Sequence, residues 1–184
     1  MQLDPLVVMA VAHYQFEAIH PFADGNGRTG RILNVLFLLE RGLLSVPILY
    51  LSRYIVENKN EYYHLLNAVT RDGIWEEWIL YVLQAIAETA VWTCGKVREI
   101  QSLMTQTAER LQLSVPKMYS HELMQVLFSQ PYCRIGNIVE AGIAKRQTAS
   151  EYLKAIANLG ILEERREGRD KLFFNIRLME LLTK

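Results

Sequence analysis

The sequence predicts a mainly α-helical protein, a helical core followed by a smaller unit with a β-hairpin. Apolar residues recur at helical spacing through the first hundred residues, and the stretch 74–113 holds no proline and a single glycine. Near the C-terminus, residues 161–166 and 171–176 are interpreted as two strands joined across Glu167–Asp170, as in a hairpin. With 51% hydrophobic and 22% charged residues, the chain has enough apolar surface to fold, which excludes intrinsic disorder.

Glycine and proline divide the N-terminal part into predicted helices. The first begins at Asp4-Pro5, an N-cap followed by proline at the first helical position, and ends at His20-Pro21. A second starts near Arg28 and stops at Gly42. Residues 46–51 are interpreted as a linker into a short helix near residue 52. Two further helices are expected over 58–71 and 74–113, the latter as one long helix or two nearly continuous ones.

The C-terminal part has the order of a winged helix. After the boundary at 114–116, helices are predicted over 120–129, 135–140 and 145–159, and strands over 161–166 and 171–176. We therefore expect two domains, residues 1–113 with the long connecting helix and residues 117–184.

Charge and cysteine content indicate a cytoplasmic protein without a strong electrostatic partner. The 20 basic and 20 acidic residues cancel, so nothing draws the whole chain to nucleic acid or an anionic membrane. Cys94 and Cys133 form neither a disulfide framework nor a zinc motif. No apolar run approaches the ~20 residues that span a bilayer, and the start lacks the pattern of a signal peptide.

The segment 20–31, HPFADGNGRTGR, holds the densest chemistry. Gly25 and Gly27 let the backbone turn its N–H groups toward an anion, and the following helix adds its positive N-terminal end. Arg28 and Arg31, three residues apart, lie on one side of that helix and can both reach phosphate oxygens. These features indicate a nucleotide polyphosphate site.

Two more side chains of this segment suit the chemistry of phosphates. Asp24 is a hard oxygen ligand for a Mg²⁺ that keeps most of its waters, although it could instead cap the next helix. His20 can take a proton near neutral pH, which favours a general base.

Two other phosphate-binding motifs share part of this residue pattern. Residues 25–30 fit G-x-G-x-x-G, but the dinucleotide-binding motif requires a preceding strand, and a helix is predicted here. A Walker A loop is excluded because no Gly-Lys-Ser/Thr follows.

Residues 20–31 resemble the signature of the Fic family, His-Pro-Phe-x-Asp/Glu-Gly-Asn-Gly-Arg-x-x-Arg, with every fixed position filled. The resemblance extends over about residues 3–90 and implies a helical enzyme core. It implies transfer of AMP from ATP to a Ser, Thr or Tyr hydroxyl of a target protein, which can be the enzyme itself, with release of pyrophosphate and with Mg²⁺ as cofactor.

The resemblance also assigns roles. By it, His20 deprotonates the target hydroxyl, Asp24 holds Mg²⁺, and Phe22 anchors the loop in the core. The phosphate contacts it implies come from Gly25, Asn26, Gly27, Arg28 and Arg31. Thr29 and Gly30 are interpreted as spacers.

The chain departs from the family pattern ahead of the signature. Family members carry several helices and a flap there, whereas 19 residues precede His20 here. We therefore expect the N-terminal part of the Fic domain to be missing. No inhibitory Ser/Thr-x-x-x-Glu-Gly/Asn motif is present, and apolar surface left by the missing helices would favour a homodimer.

Several alternatives stay open at this point. Tyr62, Tyr63 and Asn67 could form a wall of an adenine pocket or pack a helical core. The transferred group could be a phosphate or another nucleotide. The chain could also be a DNA-binding regulator with a nucleotide-sensing part, because the helix over 145–159 offers polar and basic residues outward. However, residues 163–171 carry four acids against four bases, so protein contact or a structural role is preferred over DNA.

Overall fold

The computed structural model of the chain describes residues 3–168 and 170–183, and their contacts form two compact units that divide between Cys94 and Gly95. The first unit is helical throughout, as predicted. Its elements are α1 (Pro5–Ile19), α2 (Asn26–Glu40), α3 (Leu51–Glu57), α4 (Lys59–Asp72) and the first part of α5 (Trp75–Ser114).

The second unit combines the rest of α5 with four shorter helices and a small sheet. Its elements are α6 (His121–Ser129), β1 (Tyr132–Cys133), α7 (Ile135–Glu140), α8 (Arg146–Asn158), β2 (Glu163–Glu167), β3 (Asp170–Phe174) and α9 (Ile176–Thr183). The strands are antiparallel in the order β1-β3-β2, with Arg166 opposite Lys171 in the hairpin. The mainly α-helical prediction is confirmed, and the unit holds the three helices and the hairpin predicted for it.

The core of the first unit is organised around Trp78 on α5, which is fully buried. Its indole Nε1 donates a hydrogen bond of 2.9 Å to the carbonyl oxygen of Ala10 on α1, which ties α5 to α1. The His13 ring stacks on the indole with centroids 6.0 Å apart, and the Tyr62 ring lies 5.5 Å away. Large aromatic side chains bury much apolar area, so this cluster fixes the position of α1. The signature segment begins directly after the last residue of α1.

Phe173 on β3 is fully buried and is the largest such side chain in the core of the second unit, where most of the other buried residues are aliphatic. Leu111, near the end of α5, packs in this core with Leu153 of α8. That packing explains why the structure divides within α5, earlier than the boundary predicted after residue 113.

Two elements depart from the sequence prediction. The last strand ends at Phe174 instead of residue 176, because the Asn175 side chain accepts a hydrogen bond of 3.1 Å from the Leu178 N–H and caps α9, a helix the pattern did not predict. β1, only two residues long, was also not predicted. Arg169, in the predicted turn of the hairpin, lies outside the described residues. Among the described helices, none combines the length and hydropathy needed to cross a membrane.

Candidate active site

The last turn of α1 places His20 at the start of the signature loop. Its backbone is left-handed, with φ 50° and ψ 57°, and its N–H donates to the Phe16 carbonyl oxygen at 3.1 Å. Within residues 3–168 and 170–183, no other residue except glycine has a positive φ. This conformation costs a residue with a Cβ roughly 1–2 kcal/mol, so the rest of the loop must hold it. The His20 side chain is exposed, which leaves its imidazole free to meet a substrate.

Asn26 closes the loop from inside. Its side chain is only 2% exposed; Oδ1 accepts from the Phe22 N–H at 2.9 Å, and Nδ2 donates to the Phe22 carbonyl oxygen at 2.6 Å. The Asn26 amide is thus committed to loop shape. Its backbone N–H, in the first turn of α2, is what remains for the phosphate contact implied by the resemblance.

Phe22 does not anchor the loop in the core, contrary to the role implied by the resemblance. Its side chain is 50% exposed, and its ring meets the Phe16 ring with centroids 6.3 Å apart. Phe16 belongs to the last, partly exposed turn of α1, so this contact covers one side of the Phe22 ring and leaves the rest open.

Gly25 and Asp24 form the entry into α2. Gly25 is the N-cap residue with φ 85°, a conformation that favours glycine. The Asp24 Oδ1 atom accepts from the Gly25 N–H at 2.7 Å, while Oδ2 lies 3.6 Å from Nη2 of Arg28. Because the Asp24 side chain is 94% exposed, this pairing is weak, and the carboxylate stays accessible to a cation.

Arg28 and Arg31 follow on α2, and both line an open cleft of about 410 Å³. Arg31 is held more firmly than Arg28. Its Nε donates to the Ser52 hydroxyl on α3 at 2.7 Å, which leaves its two Nη groups for an anion. The other walls of the cleft are mostly apolar side chains of α2 and of residues 47–51.

Asp24 fits the kind of Mg²⁺ site predicted for it. Among the described residues, no group of three or more His, Cys, Asp or Glu side chains could enclose a metal ion. A single exposed carboxylate beside phosphate-binding groups suits Mg²⁺, which is commonly held by one or two carboxylates together with substrate phosphates and waters.

Behind the loop, Gly30 allows α1 and α2 to approach closely. A Cβ on Gly30 would lie 2.6 Å from Oε1 of Glu17, 3.2 Å from Cε1 of His13 and 3.2 Å from Cδ1 of Phe16. Gly30 is therefore a packing requirement, and its interpretation as a spacer is wrong. Sequence reasoning also missed Glu17, whose contact with Gly30 depends on how α2 packs on α1 and has no local signal.

Tyr62 and Tyr63 have different environments. Tyr62 is buried, and its hydroxyl lies 3.0 Å from Nε2 of His13, so the core interpretation applies to it. Tyr63 is 52% exposed, and its role in an adenine pocket stays a prediction, as does that of Asn67.

The predicted site residues thus share one loop and the first turns of α2. The imidazole of His20, the carboxylate of Asp24 and the side chain of Arg28 are exposed, whereas Arg31 is partly covered. Such a set can bind an anion at the start of a helix, hold a cation beside it and accept a proton from a third group.

Comparison with known proteins yields two family matches. Residues 1–38 match the model of the Fic/DOC family, and residues 103–178 match the C-terminal domain of SoFic-like protein adenylyltransferases. These two regions fall on the segment with the signature and on the second unit.

Several individual relatives are named protein adenylyltransferases. Protein adenylyltransferase Fic of Drosophila yakuba is 28% identical over 67% of this chain and 24% of its own length. Protein adenylyltransferase fic-1 of Caenorhabditis briggsae is 40% identical over 36% of this chain and 12% of its own. A probable protein adenylyltransferase of Aquifex aeolicus is 47% identical over 29% of this chain and 17% of its own. The chain spans at most about a quarter of these proteins. With the complete signature at residues 20–31, the matches show that the chain is similar to the Fic/DOC family over residues 1–38 and to the C-terminal domain of SoFic-like protein adenylyltransferases over residues 103–178.

Proposed function

We propose that the protein is a protein adenylyltransferase, which transfers AMP from ATP to a Ser, Thr or Tyr hydroxyl of a target protein. The observation that carries the proposal is the joint exposure of the His20 imidazole and the Asp24 carboxylate beside Arg28, all at the start of α2. The names of the relatives support the same reaction. ATP is the nucleotide substrate and Mg²⁺ the proposed metal.

The phosphates would lie at the N-terminal end of α2. The 15-residue helix offers unpaired N–H groups there, and its dipole favours an anion. Arg28 and Arg31 would bind the β- and γ-phosphates, the second from a position fixed by Ser52. Asp24 would hold Mg²⁺, which when bound neutralises part of the phosphate charge.

His20 would act as the general base. The hydroxyl oxygen of the target attacks the α-phosphorus, and the bond from that phosphorus to the oxygen bridging to the β-phosphorus breaks. Pyrophosphate leaves with the bonding electron pair, and the hydroxyl proton passes to the imidazole of His20. A well-placed general base contributes about 10²–10⁴ in rate. The C-cap position of His20, whose N–H donates to the Phe16 carbonyl oxygen, would hold its backbone for this role.

The test is label transfer from ATP that carries phosphorus-32 at either the α- or the γ-position. With Mg²⁺, α-label is expected on the protein itself or on an added target. We expect His20→Ala to abolish labelling and His64→Ala, which alters an exposed histidine on α4, to leave it unchanged. Transfer of γ-label without α-label would instead indicate phosphate transfer, and equal labelling by His20→Ala would remove His20 from the mechanism.

A second candidate function concerns the second unit, where four basic side chains line one open pocket. Arg134, Arg146, Arg166 and Lys171 line this space of about 570 Å³. Arg166 and Lys171 are directly opposite each other in the hairpin, and Lys171 is already paired with the carboxylate of Glu164, so only part of this positive charge is open to an external anion. Asp170 lies 4.0 Å from Arg134 and offsets part of the charge. The arrangement favours binding of phosphate groups, as in a nucleic acid backbone.

Binding to duplex DNA at several salt concentrations tests this candidate. Arg146→Ala should weaken binding and reduce the slope of log affinity against log salt by about 1. Arg98→Ala, an exposed arginine on α5 outside the pocket, should change neither. Equal slopes for wild type and Arg146→Ala would count against nucleic acid as the partner.

A further inference from the structure

A hydrogen bond between Arg31 and Ser52 joins helix α2 to helix α3. The Nε atom of Arg31 donates to the Ser52 hydroxyl oxygen at 2.7 Å, across 21 positions of the chain. Ser52 lies in the first turn of α3, and the buried side chains of Leu51 and Ile55 hold this helix in the core of the first unit. The hydroxyl oxygen is therefore an acceptor whose place is fixed by core packing.

This bond determines which way the Arg31 guanidinium faces. The guanidinium is planar and carries Nε and its two Nη groups in a fixed fork, so a bond at Nε also orients both Nη groups. The Nη1 atom lies toward the start of α2, because a Cβ on Gly27 would be 3.1 Å from it. The fork of Arg31 is thus turned to the helix end at which the phosphates are proposed to bind.

Arg28, one turn earlier on α2, is held far less firmly. Its side chain is 75% exposed, and its Nη2 atom lies 3.6 Å from a carboxylate oxygen of Asp24, which is 94% exposed. An exposed pair of this kind contributes little and is screened by salt. A ligand must therefore order Arg28 at a cost in side-chain entropy, whereas Arg31 is oriented before the ligand arrives.

The place of the Arg31–Ser52 bond favours a role in binding over a role in folding. Both residues line the open cleft of about 410 Å³, and their bond is only partly buried. A hydrogen bond that water can replace contributes little to the free energy of unfolding. Orientation of the guanidinium is the effect that remains when the bond is exposed to solvent.

We propose that Ser52 is a positioning residue that makes the site selective for a nucleoside triphosphate: it orients Arg31 toward the terminal phosphate, while Arg28 binds the preceding one. The inference rests on the proposed function, because the orientation of Arg31 matters in this way only if nucleotide phosphates bind at the start of α2. Ser52 acts through Arg31. Loss of its hydroxyl should therefore weaken binding of ATP but not of ADP, which lacks the third phosphate.

S52A removes the acceptor and keeps the Arg31 side chain. We expect the dissociation constant for ATP with Mg²⁺, measured by calorimetry, to rise about tenfold, as for loss of a hydrogen bond to a charged group, and that for ADP to stay unchanged. S52T, which keeps a hydroxyl, should bind both nucleotides like wild type. The matched control S102A removes an exposed hydroxyl that accepts from Nε2 of Gln106, and it should change neither constant.

A merely structural Ser52 would behave differently. In that case S52A would lower the melting temperature and weaken ATP and ADP alike, a result that would overturn the inference. If S52A does not fold, S52C takes its place, because the thiol keeps the shape and is a weak acceptor.

A double-mutant cycle tests whether the effect passes through Arg31. In an R31A background, S52A should have no further effect on ATP affinity, whereas in an R28A background the tenfold loss should persist. A further loss in the R31A background would show that Ser52 acts on the nucleotide without Arg31, which would also overturn the inference.

The outcomes separate this inference from the proposed function. If R31A weakens ATP binding and S52A binds ATP like wild type, the positioning role is overturned and the proposed function stands. If wild type does not bind ATP, or if R31A binds it as tightly as wild type, the proposed phosphate site itself fails.

Discussion

Acidification should destabilise the first unit through His13. The His13 side chain is 3% exposed, its Nε2 atom lies 3.0 Å from the Tyr62 hydroxyl, and its ring stacks on Trp78. Burial, with a smaller contribution from Arg31, lowers its pKa from 6.5 to about 4. Below pH 6.5 the unfolded chain therefore binds a proton at His13 that the folded chain does not, so stability falls as pH decreases from 6.5 toward 4.

The magnitude follows from the two pKa values. Each factor of ten in proton affinity is worth about 1.4 kcal/mol, so the displacement from 6.5 to about 4 corresponds to about 3 kcal/mol, most of which is lost by pH 4.5. Glu17 acts in the opposite sense, since a carboxyl with a raised pKa takes up a proton more readily in the folded state. A comparison of two proteins that both contain Glu17 cancels most of its contribution.

Urea unfolding followed by tryptophan emission is the assay. All three tryptophans, Trp75, Trp78 and Trp92, precede the division at residue 94, so the signal reports the first unit. Between pH 7.5 and pH 4.5, wild type should lose about 2–3 kcal/mol of unfolding free energy. His13→Gln should lack most of that loss, and the exposed-histidine control His64→Gln should keep it. An equal loss in wild type and His13→Gln would refute the reasoning.

Three further predictions concern stability and loop shape. Gly30→Ala should lower the unfolding free energy by about 1–3 kcal/mol, because its Cβ would overlap Oε1 of Glu17. The control Gly95→Ala, with no atom within 4 Å of its Cβ, should raise the unfolding free energy by about 0.5–1 kcal/mol. A stabilising Gly30→Ala would contradict the close contact with Glu17. Asn26→Ala should cost about 1–3 kcal/mol and abolish label transfer, because the Phe22 backbone loses two partners; full labelling would show that the loop keeps its shape without them. Phe173→Ala should cost about 3–5 kcal/mol in thermal unfolding followed by circular dichroism, and a loss below 1 kcal/mol would contradict its place in the core.

The sequence predicted most of the helices because their ends carry local signals. Asp4-Pro5 starts α1, and Gly73 ends α4 with a left-handed backbone. Helix α9 was not predicted because its local start signal was misinterpreted: Asn175 caps the helix but was interpreted as part of a strand. In contrast, β1 is too short for any periodicity to appear and exists because Tyr132 and Cys133 pair with β3.

The candidate site was predictable where it is contiguous and unpredictable where it depends on packing. His20, Asp24 and Arg28 lie within one loop and one helical turn, so their proximity follows from local structure. The approach of Ser52 to Arg31, from 21 residues away, depends on how α3 packs, and no local pattern contains that information.

Gly30 and Glu17 form one contact, yet they should behave differently when changed. A methyl group at Gly30 forces α1 and α2 apart, so it should weaken folding and nucleotide binding together, because His20 follows the end of α1 and Arg28 lies in the first turn of α2. Replacing the Glu17 carboxylate by an amide leaves the helices in place and removes a charge whose Oε1 atom is buried without a partner, so the melting temperature of E17Q should stay equal or rise, whereas that of Gly30→Ala should fall.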